Sequence, residues 1–268
     1  MGGYLGGGLN QYDPEKDAFI RYLHNPDDPH SLSANVVRTV YEDRSGNIWV
    51  GTLEKGFNKL DKQRNQFTRY LHDPNEPNSL SNNTVWSITE DSAGVLWLGT
   101  EGGLNRFDPK TEQFIHYRHD PDDPASLVHD RIKSICRDRS DILWIGTDNG
   151  FCKFDPETNR FTRYMHDSAN PTTLSSNSIE SVYLDRTGKL WIGTAGGGLN
   201  QFDRKTETFI SYRHDSADPY SLSGDNANMV YEDKTGTLWI ATDGGSAFLI
   251  PRESHFTIIE PSPATIAA

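Results

Sequence analysis

Short runs of mixed hydrophobic and polar residues, which do not alternate cleanly, are separated by turn-forming residues along the whole chain. β-branched and aromatic residues dominate these runs, and that composition favours strands over helices. No run keeps a 3.6-residue period for the roughly ten residues that a helix needs. The run around Tyr41 ends in an Asp-x-x-Gly turn, which suits a tight hairpin with Gly46 in the left-handed region. The strands predicted in this unit cover residues 37–43, 47–52, 57–61 and 66–72.

A Trp-x-Gly-Thr or Trp-x-Ala-Thr segment, followed by a glycine-rich connector, recurs along the chain at nearly constant spacing. The five copies of this residue are Trp49, Trp97, Trp144, Trp191 and Trp239. Their successive spacings are 48, 47, 47 and 48 residues, and periods of about 40 to 50 residues indicate propeller blades or helical arrays. Because each unit contains four predicted strands, the repeat predicts an all-β fold, a β-propeller of four-stranded antiparallel blades. The repeated tryptophans are then structural and fill the space between neighbouring blades.

Six blade units are predicted, and together they form one propeller domain over residues 1–260. The first unit is incomplete, because it holds only its last two strands and a remnant of the second. Either six units close imperfectly or the natural ring has more blades, and the incomplete blade also allows a homo-oligomer. Residues 261–268 are small or proline-containing and are predicted to be a tail or linker. The predicted unit bounds are 1–33, 34–81, 82–128, 129–175, 176–223 and 224–260.

A long loop rich in proline and aspartate follows the fourth predicted strand of each unit and contains a repeated histidine and a repeated leucine. We expect each leucine to anchor its loop, and each histidine to form hydrogen bonds within it. Copies on different blades lie too far apart to share a metal ion, and the loops lack the alternating carboxylates of a hand-shaped calcium site. No metal site is therefore predicted. The residues are His24, His72, His119, His166 and His214, with Leu32, Leu80, Leu127, Leu174 and Leu222.

The charge of the chain makes several partner classes improbable. Asp and Glu outnumber Lys and Arg by 38 to 26, which gives a formal net charge of −12, and no basic cluster occurs. Nucleic acids and anionic membrane surfaces are therefore not expected as partners. The chain also shows no signal-peptide pattern and no apolar run long enough to span a membrane.

The two cysteines are predicted to be mostly buried thiols. Cys136 falls on the first strand and Cys152 on the third strand of one predicted blade. Two strand spacings separate them by roughly 9 to 10 Å, which exceeds the reach of a disulfide.

Positions that differ between the copies are candidates for ligand contacts, because each copy would face a different part of an asymmetric ligand. At the start of each first strand, a Val, Ile or Ala is followed by a residue that changes in every unit. These five variable positions are Arg38, Trp86, Lys133, Glu180 and Asn228. In a propeller they surround the central opening on the loop-rich rim, where the flat ring of Trp86 and its polar neighbours suit a saccharide. The alternative is that solvent-facing positions drift without function.

The sequence contains no enzyme signature that specifies a reaction. The glycine triplets at 6–8 and 196–198 precede predicted strands, whereas a phosphate-binding loop needs a helix after it, so no cofactor is predicted. No nucleophile elbow or metal-binding helix occurs. A lyase or hydrolase using Glu180 or His129 remains the runner-up, and a protein-interaction scaffold is the third alternative.

The segments 79–108 and 174–203, with the preceding HDPxDPxSL-type loops, resemble the two-component regulator propeller repeat. The resemblance extends over essentially the whole chain. It implies a periplasmic sensor domain of bacterial hybrid histidine kinases or diguanylate cyclases, often one that detects carbohydrate. It also implies a ring of the seven-bladed type, followed by an immunoglobulin-like module, a membrane span and a cytoplasmic output domain. The expected function is therefore ligand sensing, with a small saccharide as the first ligand class to test.

Overall fold

The computed structural model describes residues 6–249 and 256–259, and this part of the chain consists of strands, turns and loops without a helix. Consequently it holds no helical segment that is long and apolar enough to cross a membrane. The chain divides into two compact units between Arg137 and Asp138. The predicted tail at 261–268 lies outside the described residues.

The first unit contains eleven strands whose order in each sheet follows the chain. β1 and β2 form a two-stranded antiparallel sheet, which agrees with the prediction that the first blade has only its last two strands. β3–β6 and β7–β10 form two four-stranded antiparallel sheets, and β11 packs against β7 and β8. The strands are β1 (Leu9–Asp13), β2 (Ala18–Tyr22), β3 (Val37–Glu42), β4 (Ile48–Thr52), β5 (Phe57–Asp61), β6 (Gln66–Tyr70), β7 (Val85–Glu90), β8 (Leu96–Thr100), β9 (Gly103–Asp108), β10 (Gln113–Tyr117) and β11 (Ile132–Arg137).

The second unit repeats the same arrangement. β12, β13 and β14 pair antiparallel in chain order, and β15–β18 and β19–β22 form two further four-stranded sheets. The strands are β12 (Leu143–Thr147), β13 (Gly150–Asp155), β14 (Arg160–Tyr164), β15 (Ile179–Leu184), β16 (Leu190–Thr194), β17 (Gly198–Asp203), β18 (Thr208–Tyr212), β19 (Ala227–Glu232), β20 (Leu238–Thr242), β21 (Gly245–Leu249) and β22 (Phe256–Ile259). The predicted all-β propeller blades are thereby confirmed.

Aromatic side chains fill the space between successive sheets. Trp49 is fully buried, stacks on Phe57 at 4.9 Å between ring centroids, and meets Phe107 of the next sheet edge-on at 5.6 Å. In the second unit, Trp144 packs edge-on against Phe202 at 5.5 Å. Burial of such large apolar surfaces is the main stabilising contribution to this kind of fold.

Each repeated tryptophan also donates a hydrogen bond, because a buried indole N–H without an acceptor would be costly. The acceptor is the aspartate that begins the turn between the first and second strands of each sheet, so this residue both shapes the turn and holds the tryptophan. The turn is Asp-x-x-Gly in four copies and Asp-x-x-Asp at Asp138. The Nε1–Oδ2 distances are 2.7 Å (Trp49–Asp43), 3.0 Å (Trp97–Asp91), 3.2 Å (Trp144–Asp138), 2.9 Å (Trp191–Asp185) and 2.8 Å (Trp239–Asp233).

The first strands of successive sheets, which we call inner strands, pack on one another. β3 packs on β7 and β7 on β11 in the first unit, and β15 packs on β19 in the second. The glycine that follows the Trp-x pair in four of the five copies permits this approach: a Cβ at Gly51 would lie 2.8 Å from the carbonyl oxygen of Val85. At Gly193 it would lie 2.2 Å from that of Ala227. A larger residue at these positions would push the inner strands apart.

The long loops are fixed as predicted. Each loop leucine is fully buried, and the Nδ1 atom of each loop histidine lies 2.6 to 2.9 Å from the leucine carbonyl oxygen. Cys136 and Cys152 are both thiols, with Cys152 buried and Cys136 half-buried. The histidines and cysteines therefore belong to the scaffold.

Candidate functional site

Four of the five variable positions lie on β-bulges at the start of the inner strands. In β3, Val37 pairs with Thr52 and Thr39 with Gly51, so Arg38 is an extra residue without an opposite partner. The same shift in register places Trp86, Glu180 and Asn228 at bulges in their strands. Bulges re-aim side chains and often occur beside binding sites. The positions that change from copy to copy are thus also those that the sheet pairing does not constrain.

In the first unit, a bulge brings Arg38 onto Trp86 of the neighbouring inner strand. The Arg38 guanidinium carbon lies 4.5 Å from the centroid of the Trp86 ring, within the range of a cation–π contact. Arg131, just before β11, places its guanidinium carbon 5.7 Å from the same centroid. Trp86 is half-buried, and its Nε1 atom is shielded from solvent with no hydrogen-bond partner among the described residues.

One carboxylate and one further cation lie near this group. Glu101, in the connector after β8, lies 3.3 Å from Arg131 Nε through its Oε1 atom. Lys133 is half-buried on β11, which packs against the strand carrying Trp86. We call Arg38, Trp86, Glu101, Arg131 and Lys133 the Trp86 cluster. It contains three cations and one anion, in a chain whose formal net charge is −12.

In the second unit, the remaining two predicted site residues occupy bulges on β15 and β19. Glu180 is half-buried and Asn228 is exposed. The neighbouring Asn226 belongs to the scaffold, because its amide accepts from Gly196 N at 2.7 Å and donates to Asp243 at 2.7 Å. That all five variable positions form one binding site stays a prediction.

The enzyme alternative relied in part on His129. Its Nδ1 atom accepts a hydrogen bond from the Arg131 backbone N–H at 3.2 Å, which places the ring in the turn that precedes β11. This contact gives His129 a structural role in positioning Arg131.

A cavity among the described residues lies at the other end of a blade. It has a volume of about 430 Å³ and is lined by residues of the hairpin turns and of the adjoining strands, including Lys59, Asp61, Tyr70 and Glu112. Burial raises the pKa of the Tyr70 hydroxyl, and so does its 2.7 Å hydrogen bond to Glu112. The raised pKa keeps the Tyr70 hydroxyl neutral, and its hydrogen bond to Glu112 joins two successive sheets. We therefore assign this cavity to the scaffold.

The sequence did not single out Arg131 or Glu101. A signal for Arg131 was available, because the position one residue before each Val, Ile or Ala also changes between copies. Its residues are Val36, Thr84, Arg131, Ser178 and Asn226. Glu101 gave no signal on its own, since its position in the connector is commonly polar and its role depends on contact with Arg131.

Comparison with known sequences identifies the repeated segments. The family described as "Two component regulator propeller" matches residues 31–54, 79–102, 126–149, 173–196 and 221–244. Each match begins in the long loop and ends in the connector, so it includes the inner strand and the repeated tryptophan. No curated protein sequence matches the chain significantly.

Similar solved structures include extracellular domains from Bacteroides thetaiotaomicron. The extracellular domain of BT3049, described as a hybrid two component system, is 29% identical with a TM-score of 0.74, over 90% of this chain and 30% of that chain. That of BT4673, described as a one component system, is 21% identical with a TM-score of 0.63, over 96% of this chain and 41% of that one. This chain thus spans less than half of either domain.

An enzyme also shares the architecture. Virginiamycin B lyase from Staphylococcus aureus is 13% identical with a TM-score of 0.62, over 85% of this chain and 71% of the lyase. At this identity the similarity concerns the fold alone.

Proposed function

Because this chain is built from two component regulator propeller repeats, we propose that it is the ligand-sensing module of a two-component-type bacterial signalling protein. The similarity to extracellular domains of such systems supports a location in the periplasm or cell envelope. The ligand we propose is a saccharide, bound at the variable positions of the inner strands. The module works by binding and performs no chemical step.

The placement of the variable positions on inner-strand bulges carries this proposal. A scaffold position has the same neighbours in every copy, and the tryptophan, aspartate, glycine, histidine and leucine positions are accordingly uniform or nearly so. A ligand position has no such constraint, and Arg38, Trp86 and Glu180 differ completely while occupying equivalent bulges. Planar and charged side chains held by short strands form a rigid surface, which lowers the entropic cost of binding.

Signalling requires that binding be transmitted to other parts of a longer protein. The resemblance implies an immunoglobulin-like module and a kinase or cyclase portion, and these are the partners we propose. A ligand shifts an equilibrium between two states only by the difference in its affinity for them. The saccharide-bound propeller would therefore favour one arrangement of those parts over another.

A glycan array combined with product analysis tests the proposal. The purified chain is incubated with immobilised glycans, and bound protein is measured together with newly formed unsaturated or reducing ends. We expect retention of a defined glycan class without turnover. New unsaturated ends would instead identify a lyase, and absence of binding to every glycan would favour a protein-interaction scaffold.

A further inference from the structure

The first sheet, β1–β2, leaves one edge of β1 without a neighbouring strand among the described residues. There β1 pairs with β2, whereas the equivalent strand β5 pairs with both β4 and β6. The position beside β1 is therefore that of a hairpin corresponding to β3 and β4. An unpaired edge offers a row of backbone donors and acceptors to another strand. Residues 1–5 precede β1 in the sequence and lie outside the described part of the chain.

A cavity of about 290 Å³, which we call the first-sheet cavity, lies beside this edge. Its lining includes Leu9 and Tyr22 of the first sheet and Leu60 of the next sheet. One sheet further along, the three corresponding residues surround Trp49. They are Phe57, Tyr70 and Phe107, at centroid distances of 4.9, 6.2 and 5.6 Å from the indole ring. The first-sheet cavity is therefore the place that a repeated tryptophan occupies in a complete sheet.

Two residues of β3 that line this cavity are exposed, although their counterparts in the next sheet are buried. Val40 has 42% of its surface accessible, whereas the corresponding Ile88 has 8%. Glu42 is exposed, whereas Glu90 has 6% of its surface accessible. A hairpin of the preceding sheet covers these positions in β7 and leaves them uncovered in β3.

Glu42 also offers a charge that such a hairpin complements. In the complete sheets, the arginine that follows the turn aspartate donates its backbone N–H to the corresponding glutamate of the next sheet. The distances are 3.0 Å from Arg44 to Glu90 and 2.9 Å from Arg186 to Glu232. Glu42 pairs with Lys62 at 3.2 Å, but these side chains are 60% and 50% accessible, and an ion pair so exposed contributes little. An arginine can therefore reach Glu42 at low cost.

We infer that the edge of β1 and the first-sheet cavity bind a β-hairpin of the same repeat type, supplied by a polypeptide segment outside these 268 residues. The hairpin pairs antiparallel with β1, as β4 pairs with β5, and inserts its tryptophan into the cavity. Its turn arginine lies at Glu42. In such strand addition the main-chain pairing provides affinity and the side-chain pocket provides specificity. A second copy of the chain fits less well, because the hairpins of its complete sheets are already paired.

A synthetic peptide of residues 179–194 is the probe, because it carries Arg186 in its turn and Trp191 in its second strand. The labelled peptide is titrated with the whole chain, and binding is followed by fluorescence anisotropy. We expect saturable binding that protects the amide protons of residues 9–13 from hydrogen exchange. The same peptide carrying Trp191→Ser should bind about tenfold or more weakly, since it has no ring for the cavity.

Two substitutions in the protein locate the site. Val40→Lys places a charged side chain in the cavity lining and should weaken peptide binding about tenfold or more, because the charge would be covered by the hairpin. Phe19→Lys is the matched control, since Phe19 is 70% accessible and lies on the face of the first sheet opposite Leu9. It adds the same charge and should leave the affinity unchanged.

Covalent attachment tests the same edge without the cost of association. In an extended chain, residues 179–194 replace residues 1–4 and directly precede Leu5, which aligns with Ala195 in the repeat. Its melting temperature should exceed, by about 3 °C or more, that of the same extension carrying Trp191→Ser in the added copy. This gain supports the inference even where the free peptide is too disordered to bind detectably.

Three outcomes would overturn the inference. The first is equal melting temperatures of the two extended chains together with equal behaviour of the two peptides. The second is an equal loss of peptide affinity in Val40→Lys and Phe19→Lys, or amide protection confined to other sheets. The third is a concentration-dependent dimer of the unmodified chain that Val40→Lys abolishes, which would assign the edge to a second copy instead.

Discussion

At the scale of single residues, the scaffold depends on close contacts and on buried polar groups with partners. The glycine of the Trp-x-Gly-Thr segment lies directly against the next inner strand, and the aspartate of the hairpin turn accepts the tryptophan N–H. In the last copy, Ala241 replaces the glycine and is exposed. The glycine is therefore required only where another inner strand packs on it.

Gly193→Ala should destabilise the protein by about 1 to 3 kcal/mol, the usual cost of overpacking a filled core. The added Cβ would lie 2.2 Å from the backbone oxygen of Ala227, which cannot move without displacing β19. Urea denaturation measures the change in the free energy of unfolding. Gly7→Ala is the matched control, because no heavy atom lies within 4 Å of its added Cβ. Equal stability of both variants would refute the close-contact explanation.

The Asp43 carboxylate should make stability dependent on pH. Burial favours its neutral form, but hydrogen bonds from Trp49 Nε1 and Asn47 outweigh this effect and lower its pKa below the usual value. Because its folded-state pKa is lower than the unfolded value of about 4, this carboxylate stabilises the fold above that value, and the contribution is lost as the pH falls through the folded-state pKa. Between pH 7 and pH 3 the melting temperature of the wild type should fall more than that of Asp43→Asn, as measured by thermal denaturation. Parallel melting curves would contradict this.

Residue-scale features were predictable where they depend on local sequence. The hairpin glycines, the loop leucines and the loop histidines follow from turn chemistry and periodicity, and the structure places them as expected. The stacking of Arg38 on Trp86 could not be predicted, because it joins two repeats and depends on a bulge. Nothing in a run such as Val-Arg-Thr-Val indicates that its second residue leaves the pairing register.

At the scale of elements, particular ion pairs join one blade to the next. Arg44 N donates to Glu90 Oε2 at 3.0 Å, and its guanidinium donates to the backbone oxygens of Asp91 and Ser92. Arg186 repeats this arrangement with Glu232 in the second unit, with a backbone bond of 2.9 Å. Both glutamates are buried at the end of an inner strand. These clamps hold the hairpin turn of one sheet against the next sheet.

Glu90→Ala should cost about 2 to 4 kcal/mol, since a buried acceptor is lost and the Arg44 backbone N–H loses its partner. Chemical denaturation of the whole chain provides the measurement. Glu42→Ala is the matched control, because Glu42 occupies the equivalent position in β3, is exposed, and among the described residues forms an ion pair with Lys62 at 3.2 Å. Its expected effect is below about 0.5 kcal/mol. Comparable effects of the two substitutions would argue against the clamp.

The strands themselves were largely predictable, whereas the clamps were not. Four strands per unit follow from β-branched runs between turns, and their bounds differ from expectation by one or two residues. A clamp needs an arginine in one repeat and a glutamate 46 residues later. Because Leu184 stands at the glutamate position of another copy, the pattern is not uniform enough to be recognised as part of the repeat.

At the scale of the whole molecule, uniform and variable positions have different roles. Residues at the uniform positions form the buried aromatic core, fix the long loops and allow the inner strands to pack together. Each copy therefore makes the same structural contacts. Four of the five variable positions lie on bulges that the surrounding blades hold rigid, and there the copies differ in charge and shape. A sensing module needs this combination, because rigid blades let a small ligand act on a defined surface.

Hydrogen exchange with and without the tightest-binding saccharide tests this account most directly. If the ligand binds at the inner-strand bulges, backbone amides in residues 36–39, 84–87 and 131–134 should gain protection, while the hairpin turns at 61–65 and 109–112 should not change. Protection confined to those turns, which adjoin the cavity at the opposite end of the blades, would contradict the central claim.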